Sequence, residues 1–221
     1  RQRQMCIRDR VHTDRTSPCK VEPQNSTEMK TDIILAGVGG QGILSIATIL
    51  GAAALADNLY LKQAEVHGMS QRGGDVMSGL RLSSHAIASD LIPQGKADLI
   101  VSLEPMEALR YAKWLKPEGW IVTNSVPVLN IPNYPEMEKV EGELRRRKNT
   151  VVFDMDAAAA EVATARASNM VLLGAASRFI DLPEEKIAKG IKTVFGPKGE
   201  KVVESNLRAF RKGREEAMRN S

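Results

Sequence analysis

The stretch Gly37-Val38-Gly39-Gly40-Gln41-Gly42 is where residue type and spacing first suggest chemistry. It fits G-x-G-x-x-G and stands between the apolar run IILA and the stretch ILSIATILGAAALADN, whose apolar residues recur at helical spacing. Glycine brings no Cβ and takes positive φ, so backbone here can turn sharply and approach a ligand. The helix that follows offers free N–H groups and a partial positive charge, which suit a phosphate. A nucleoside triphosphate loop is excluded, because Ile43 and Leu44 stand where Lys and Ser/Thr are required. Support for a dinucleotide is incomplete. The acid expected about 20 residues onward would have to be Glu65. The plain alternative is that these glycines only permit tight strand–helix packing, and the residues alone leave both readings open.

A second polar, glycine-rich stretch follows: His67-Gly68-Met69-Ser70-Gln71-Arg72-Gly73-Gly74-Asp75. Arg72 presents a planar, permanently charged fork for phosphate or carboxylate. Ser70 and Gln71 add donors, and Gly73-Gly74 lets the backbone bend. An ordinary surface loop would instead pair Arg72 with Glu65 or Asp75. His67 has the chemistry of a general base, but no nucleophile with a matching acid accompanies it, so no catalytic residue is assigned. Thr123-Asn124-Ser125 is a third candidate loop, and His85 reads as an ordinary strand-end residue. The two cysteines, Cys6 and Cys19, precede Met29. The body of the chain therefore holds neither a thiolate-ligated cluster nor a disulfide framework, and no convincing metal set.

The elements that must position these loops alternate. Short apolar runs (IILA, ADLIVSLE, WIVTNSV, NTVVFDMD) read as strands, and VMSGLRLSS alternates as a half-exposed strand does. Helical stretches stand between and after them, including PMEALRYAKWL, DAAAAEVATARASNMVLLGAASRFI, LPEEKIAKGIKTVF and ESNLRAFRKGREEAMRN. The pattern predicts an α/β, three-layer Rossmann-like domain over 29–221, with a largely parallel sheet and helices on both faces. Glycine loops after strand C-termini then gather at one edge, where ligands bind in such sheets. Residues 1–28 lack any period, and RQRQMCIRDR resembles translated sequencing adaptor. They are expected to be a disordered or non-native extension, with Met29 as the natural start.

Charge narrows the partner classes. The chain of 221 residues has a net charge of +4, but half of it lies in residues 1–28. The run Arg145-Arg146-Arg147-Lys148 follows Glu136, Glu138, Glu141 and Glu143, which reads as a solvated face with compensating charge. Only 4% of residues are aromatic, so base stacking is poorly supported and no nucleic acid is expected. No run of eighteen apolar residues occurs, so no membrane partner is expected either, and the cytoplasm is the expected compartment.

GVGGQG, HGMSQRGG, ADLIVSLEP and NMVLLGA, taken together, resemble the gamma-type domain of 2-oxoacid:ferredoxin oxidoreductases over about residues 29–216. The HGMSQRGG form is most like the small, beta-type subunit that serves indolepyruvate. The resemblance implies CoA-dependent oxidative decarboxylation of an arylpyruvate to an aryl-acetyl-CoA, with ferredoxin reduced. It implies a large alpha-subunit partner that holds thiamine diphosphate, Mg and iron–sulfur clusters, with ferredoxin reached through the complex. This chain alone would bind none of these groups and would not catalyse. Gly37, Gly39, Gly40, Gln41, Gly42, Ser70, Gln71, Arg72, Gly73 and Gly74 are the candidate positions for coenzyme A or for the partner. A gamma subunit serving pyruvate, 2-oxoisovalerate or 2-oxoglutarate, and a stand-alone nucleotide-binding module, are the alternatives.

Overall fold

The computed structural model describes residues 29–67 and 74–220. Six strands form one sheet in the order β2-β3-β1-β4-β5-β6. They are β1 (Lys30–Val38), β2 (Tyr60–His67), β3 (Asp75–Ser83), β4 (Ala97–Ser102), β5 (Leu115–Asn124) and β6 (Thr150–Phe153). β1, β4, β5 and β6 run parallel. β3 is antiparallel to both β1 and β2, so β2 points the same way as β1. The sheet is thus mostly parallel, as the alternation of elements requires.

One connection is simpler than a βαβ unit. The segment between β2 and β3 is far shorter than the dozen or so residues that a parallel crossover needs, so the two strands pair as a hairpin. β3 thereby fills the place between β1 and β2. The alternation in VMSGLRLSS, which marked this strand in the sequence, is that of an antiparallel neighbour.

Each central strand is apolar on both sides, and the two sides feed different cores. Ile33, Leu35, Leu99, Val101, Val122 and Val151 belong to the larger one. It is built with α1 (Ile43–Ala56), α4 (Met155–Val162), α5 (Ser168–Ala176), α6 (Glu184–Phe195) and α7 (Glu200–Arg219). Ile34, Ala36, Ile100 and Ile121 face the smaller core under α2 (Pro105–Arg110) and α3 (Met137–Arg145). This is the three-layer arrangement, with most helices on one face. The stretch 155–179 divides into α4 and α5 joined by a 3-10 turn at Ala165–Ala167.

α5 and α7 lie unusually close. A Cβ built at Gly174 would stand 1.9 Å from the Phe210 carbonyl oxygen, and one at Gly213 would stand 1.9 Å from that of Val171. Two reciprocal glycines therefore set the helix spacing.

The opposite end of the sheet is closed by a buried ion pair. Asp32 is 1% exposed and meets Arg81 through two bonds, Nε–Oδ1 at 2.7 Å and Nη2–Oδ2 at 3.1 Å. Arg81 Nη1 also donates to the carbonyls of Ser89 and Leu91, pinning the segment that follows β3.

Candidate functional site

The C-terminal ends of β1, β2, β4, β5 and β6 share one edge of the sheet, and the glycine loop lies there. Its residues divide into scaffold and open positions. Gly37 is inside β1, where an added Cβ would lie 3.0 Å from Gln41 Oε1 and 3.7 Å from Leu103 Cβ. The Gln41 amide ties the loop on both sides: Oε1 accepts from Val38 N–H at 2.7 Å, and Nε2 donates to the Leu103 carbonyl at 3.1 Å. Gly39 N–H donates to the Gly74 carbonyl at 2.9 Å, which brings the end of the second loop against the first.

Gly40 is the open position, and Gly42 is the junction with α5, where an added Cβ would lie 2.9 Å from Asn169 Nδ2. Their φ values are +104° and +82°, a backbone region that disfavours L side chains. No atom lies within 4 Å of a Cβ built at Gly40, so the loop faces open space there. Gly42 caps α1 and is followed by Ile43, the first helical residue. Asn169, the second residue of α5, donates from Nδ2 to the Gly42 carbonyl at 3.4 Å. The N-termini of α1 and α5 thus meet at Gly42. Two positive helix ends beside an exposed glycine backbone suit an anion.

Ser70, Gln71, Arg72 and Gly73 lie outside the described residues. So does the expected extension, 1–28. Gly74 is the described end of the second loop, and its backbone carbonyl is the group that meets Gly39.

A buried acidic group stands beside the glycine loop, and the sequence reading passed over it. Glu104 is 1% exposed. Its Oε2 accepts from Glu107 N–H at 2.8 Å, and its Oε1 accepts from Val128 N–H at 3.4 Å and from the Tyr134 hydroxyl. Glu107 meets Arg110 at 2.7 and 3.0 Å. Burial pushes the Glu107 carboxyl above the ordinary carboxylate range, and Arg110 opposes that only in part. Burial, with the negative charges of Asp75 and Glu107, raises the Tyr111 hydroxyl to about 12. Tyr134 is raised by burial and by its bond to Glu104. The available signal was Glu104-Pro105 at the end of a buried strand, since Pro favours the first helical turn. Asn169 opens NMVLLGA, but nothing in that stretch marked its side chain for the glycine loop.

The third loop is engaged in structure. Asn124 is 2% exposed, donates from Nδ2 to Asp156 at 3.0 Å and accepts from Met155 N–H at 3.0 Å, so it fixes the start of α4. The basic run pairs along its own helix. Arg145 meets Glu141 at 3.0 Å, while Arg146 and Arg147 meet Glu143 at 3.1 and 3.3 Å. Among the described residues no group of three His, Cys, Asp or Glu is placed to hold a metal ion. No helix among them is long and apolar enough to cross a membrane.

The pyruvate ferredoxin/flavodoxin oxidoreductase family matches residues 32–216, from the start of β1 to the end region of α7. The chain belongs to this family. The indolepyruvate oxidoreductase subunit IorB of Thermococcus kodakarensis is 39% identical over 193 residues, covering 82% of this chain and 93% of that one. The 2-oxoglutarate synthase subunit KorC of Methanothermobacter thermautotrophicus is 30% identical over 201 residues, covering 88% and 98%. Among solved structures, the 2-oxoglutarate:ferredoxin oxidoreductase of Magnetococcus marinus, with 2-oxoglutarate, coenzyme A and succinyl-CoA bound, has the same fold. Its TM-score is 0.69 at 24% identity, and it covers 88% of this chain but only 32% of that one. The chain is thus similar to free-standing oxidoreductase subunits, and its fold also occurs as about a third of a longer oxidoreductase chain.

Proposed function

We propose that this protein is the small subunit of an indolepyruvate (arylpyruvate):ferredoxin oxidoreductase. The observation that carries the reading is the 39% identity to subunit IorB over 93% of that subunit, against 30% to subunit KorC. The reaction joins an arylpyruvate and coenzyme A into an aryl-acetyl-CoA. Carbon dioxide and one proton are released, and two ferredoxins each take one electron. Thiamine diphosphate, Mg and the iron–sulfur clusters belong, on this reading, to a large partner subunit and supply the carbanion and electron chemistry there. The cysteine-free body of this chain has no thiolates for such a cluster.

The contribution of this chain is to bind and orient. Backbone at Gly40 and Gly42, with the N-termini of α1 and α5, receives phosphate groups of coenzyme A, and Arg72 adds a charged fork from the neighbouring loop. Gly37, Gly39 and Gln41 hold that loop in shape through Leu103, Val38 and Gly74. The arrangement positions a nucleophile-bearing co-substrate and leaves proton transfer to the partner.

Assay of the complex with its large subunit tests this directly. Indolepyruvate-dependent ferredoxin reduction requiring coenzyme A is the expected result. Turnover of 2-oxoglutarate or pyruvate in preference to arylpyruvates would overturn the substrate assignment. Substituting Arg72→Ala should raise the KM for coenzyme A, and an unchanged KM would remove that loop from the site.

A further inference from the structure

Residues 126–135, VPVLNIPNYP, run ten positions without a charge in a chain of which 26% is charged. They follow β5 and form a strap at the same sheet edge as the glycine loop. Leu129 is 73% exposed and Ile131 is 41% exposed. The strap is nevertheless held firmly. Glu104 grips it at two points, accepting from Val128 N–H and from the Tyr134 hydroxyl, while its other oxygen is held by Glu107 N–H. No cation pairs with Glu104 among the described residues. Burying a carboxylate without a cation is costly, so it requires this set of donors.

A connection that only linked β5 to α3 would need no such anchor. Fixing the loop so that it displays Leu and Ile lowers the ordering cost of binding, which is what a docking element requires. A charge-free centre is also the composition found in the core of protein interfaces. The residue next to Glu104 joins the strap to the candidate site: Leu103 bonds both the Ala36 carbonyl and the Gln41 amide.

The occupant follows from the relatives and from the subunit reading proposed above. In the Magnetococcus marinus oxidoreductase the matching fold is about a third of one chain and is joined covalently to the remainder. Subunit IorB, 93% of which is matched here, is by its name one subunit of an oxidoreductase, so on the reading proposed above the remainder is a separate protein held by surface contact. We propose that the 126–135 strap, gripped by Glu104 and Tyr134, docks on an apolar, uncharged surface of the large subunit, with Leu129 and Ile131 as central anchors. This rests on the reading of the chain as a subunit of such a complex.

The test measures association of the full chain with the purified large subunit by titration calorimetry, alongside ferredoxin reduction by the wild-type mixture. Each of Leu129→Ser and Ile131→Ser should weaken association about tenfold, and both together about a hundredfold. Both side chains are exposed, so circular dichroism and melting should match wild type. Leu129→Asp provides a second variant if serine is accommodated, and it should weaken association further. Glu104→Gln loses grip on the strap and should also weaken association, with Tyr134→Phe doing so to a lesser extent. Leu91→Ser is the control, because Leu91 is 65% exposed at the opposite, Asp32–Arg81 end. It should leave association unchanged. Equal affinities for wild type and the Leu129/Ile131 variants, or an equal loss in Leu91→Ser, would overturn the docking proposal while an active wild-type complex left the subunit reading intact. Absence of a wild-type complex would overturn both.

Discussion

Replacing Gly174 by Ala separates two opposing expectations by sign. Gly174 lies inside α5, and alanine is favoured over glycine in a helix by about 1 kcal/mol. Propensity alone therefore predicts a more stable protein. The packing predicts the reverse. The new Cβ would lie 1.9 Å from the Phe210 carbonyl oxygen, 2.8 Å from its carbonyl carbon and 3.2 Å from Arg214 N. An ordinary contact begins at 3.4 Å, so α5 and α7 must part by about 1.5 Å. The obstacle is backbone inside a helix and cannot rotate aside. Overpacking costs about 1–3 kcal/mol, and an unyielding obstacle belongs at the upper end. After the gain in propensity, a net loss of about 2 kcal/mol is expected. Gly213→Ala should behave alike, because its Cβ meets the Val171 carbonyl oxygen at the same 1.9 Å. The two changes should not add, since a helix pair already parted for one methyl has made room for the other. Urea unfolding of the two single variants and the double variant measures both quantities. A Gly174→Ala protein as stable as wild type, or a double variant that lost the full sum of the singles, would refute the argument from helix spacing.

Other outcomes follow from single interactions. Arg81→Ala leaves the buried Asp32 with only the exposed Lys30 at 3.5 Å and should cost about 3 kcal/mol in urea unfolding, whereas removal of the exposed Lys139–Glu136 pair should cost under about 1 kcal/mol. The raised Glu107 carboxyl means that the native state binds its proton more tightly than the unfolded chain. That contribution is fully present below the ordinary carboxyl value of 4.5 and is lost as pH rises through the raised native value, so wild type should gain stability relative to Glu107→Gln as pH falls from 7 toward 4.5. Tyr111 follows the same rule at higher pH. Its contribution is complete below 10 and fades toward about 12, so alkaline unfolding monitored by tyrosine absorbance should shift in Tyr111→Phe. At the candidate site, Gly40→Ala should raise the KM for coenzyme A in the assembled enzyme, because a methyl would project into the open space before the loop. An unchanged KM would place the phosphates elsewhere.

Much of this fold was legible in the chain because its signals are local. A strand buried on both faces is apolar through its buried stretch, as IILA and Leu99-Ile100-Val101 are, and a glycine loop between such a strand and an alanine-rich helix marks the sheet edge where ligands bind in such folds. The same local reasoning identified the self-neutralised arginine run, since ions three and four apart meet on one helix face. GVGGQG marked a loop at that edge but did not divide its labour. Only the folded backbone gives Gly40 and Gly42 positive φ, leaves open space before Gly40 alone, and turns Gln41 inward to brace Val38 and Leu103.

What tertiary structure alone decided depends on partners distant in the chain. Asn169 reaches Gly42 across 127 positions. Glu104 grips Val128 and Tyr134 across 24 and 30, so a charged residue at a strand end becomes a buried anchor. The β2–β3 hairpin slips β3 between β1 and β2, a strand order that no local signal gives. Gly174 and Gly213 look like weak helix formers until α5 and α7 are brought together. Residue type and spacing fix which faces are apolar and where the backbone can bend. Which distant groups then meet is set by how the layers close over the sheet, and no local period encodes it.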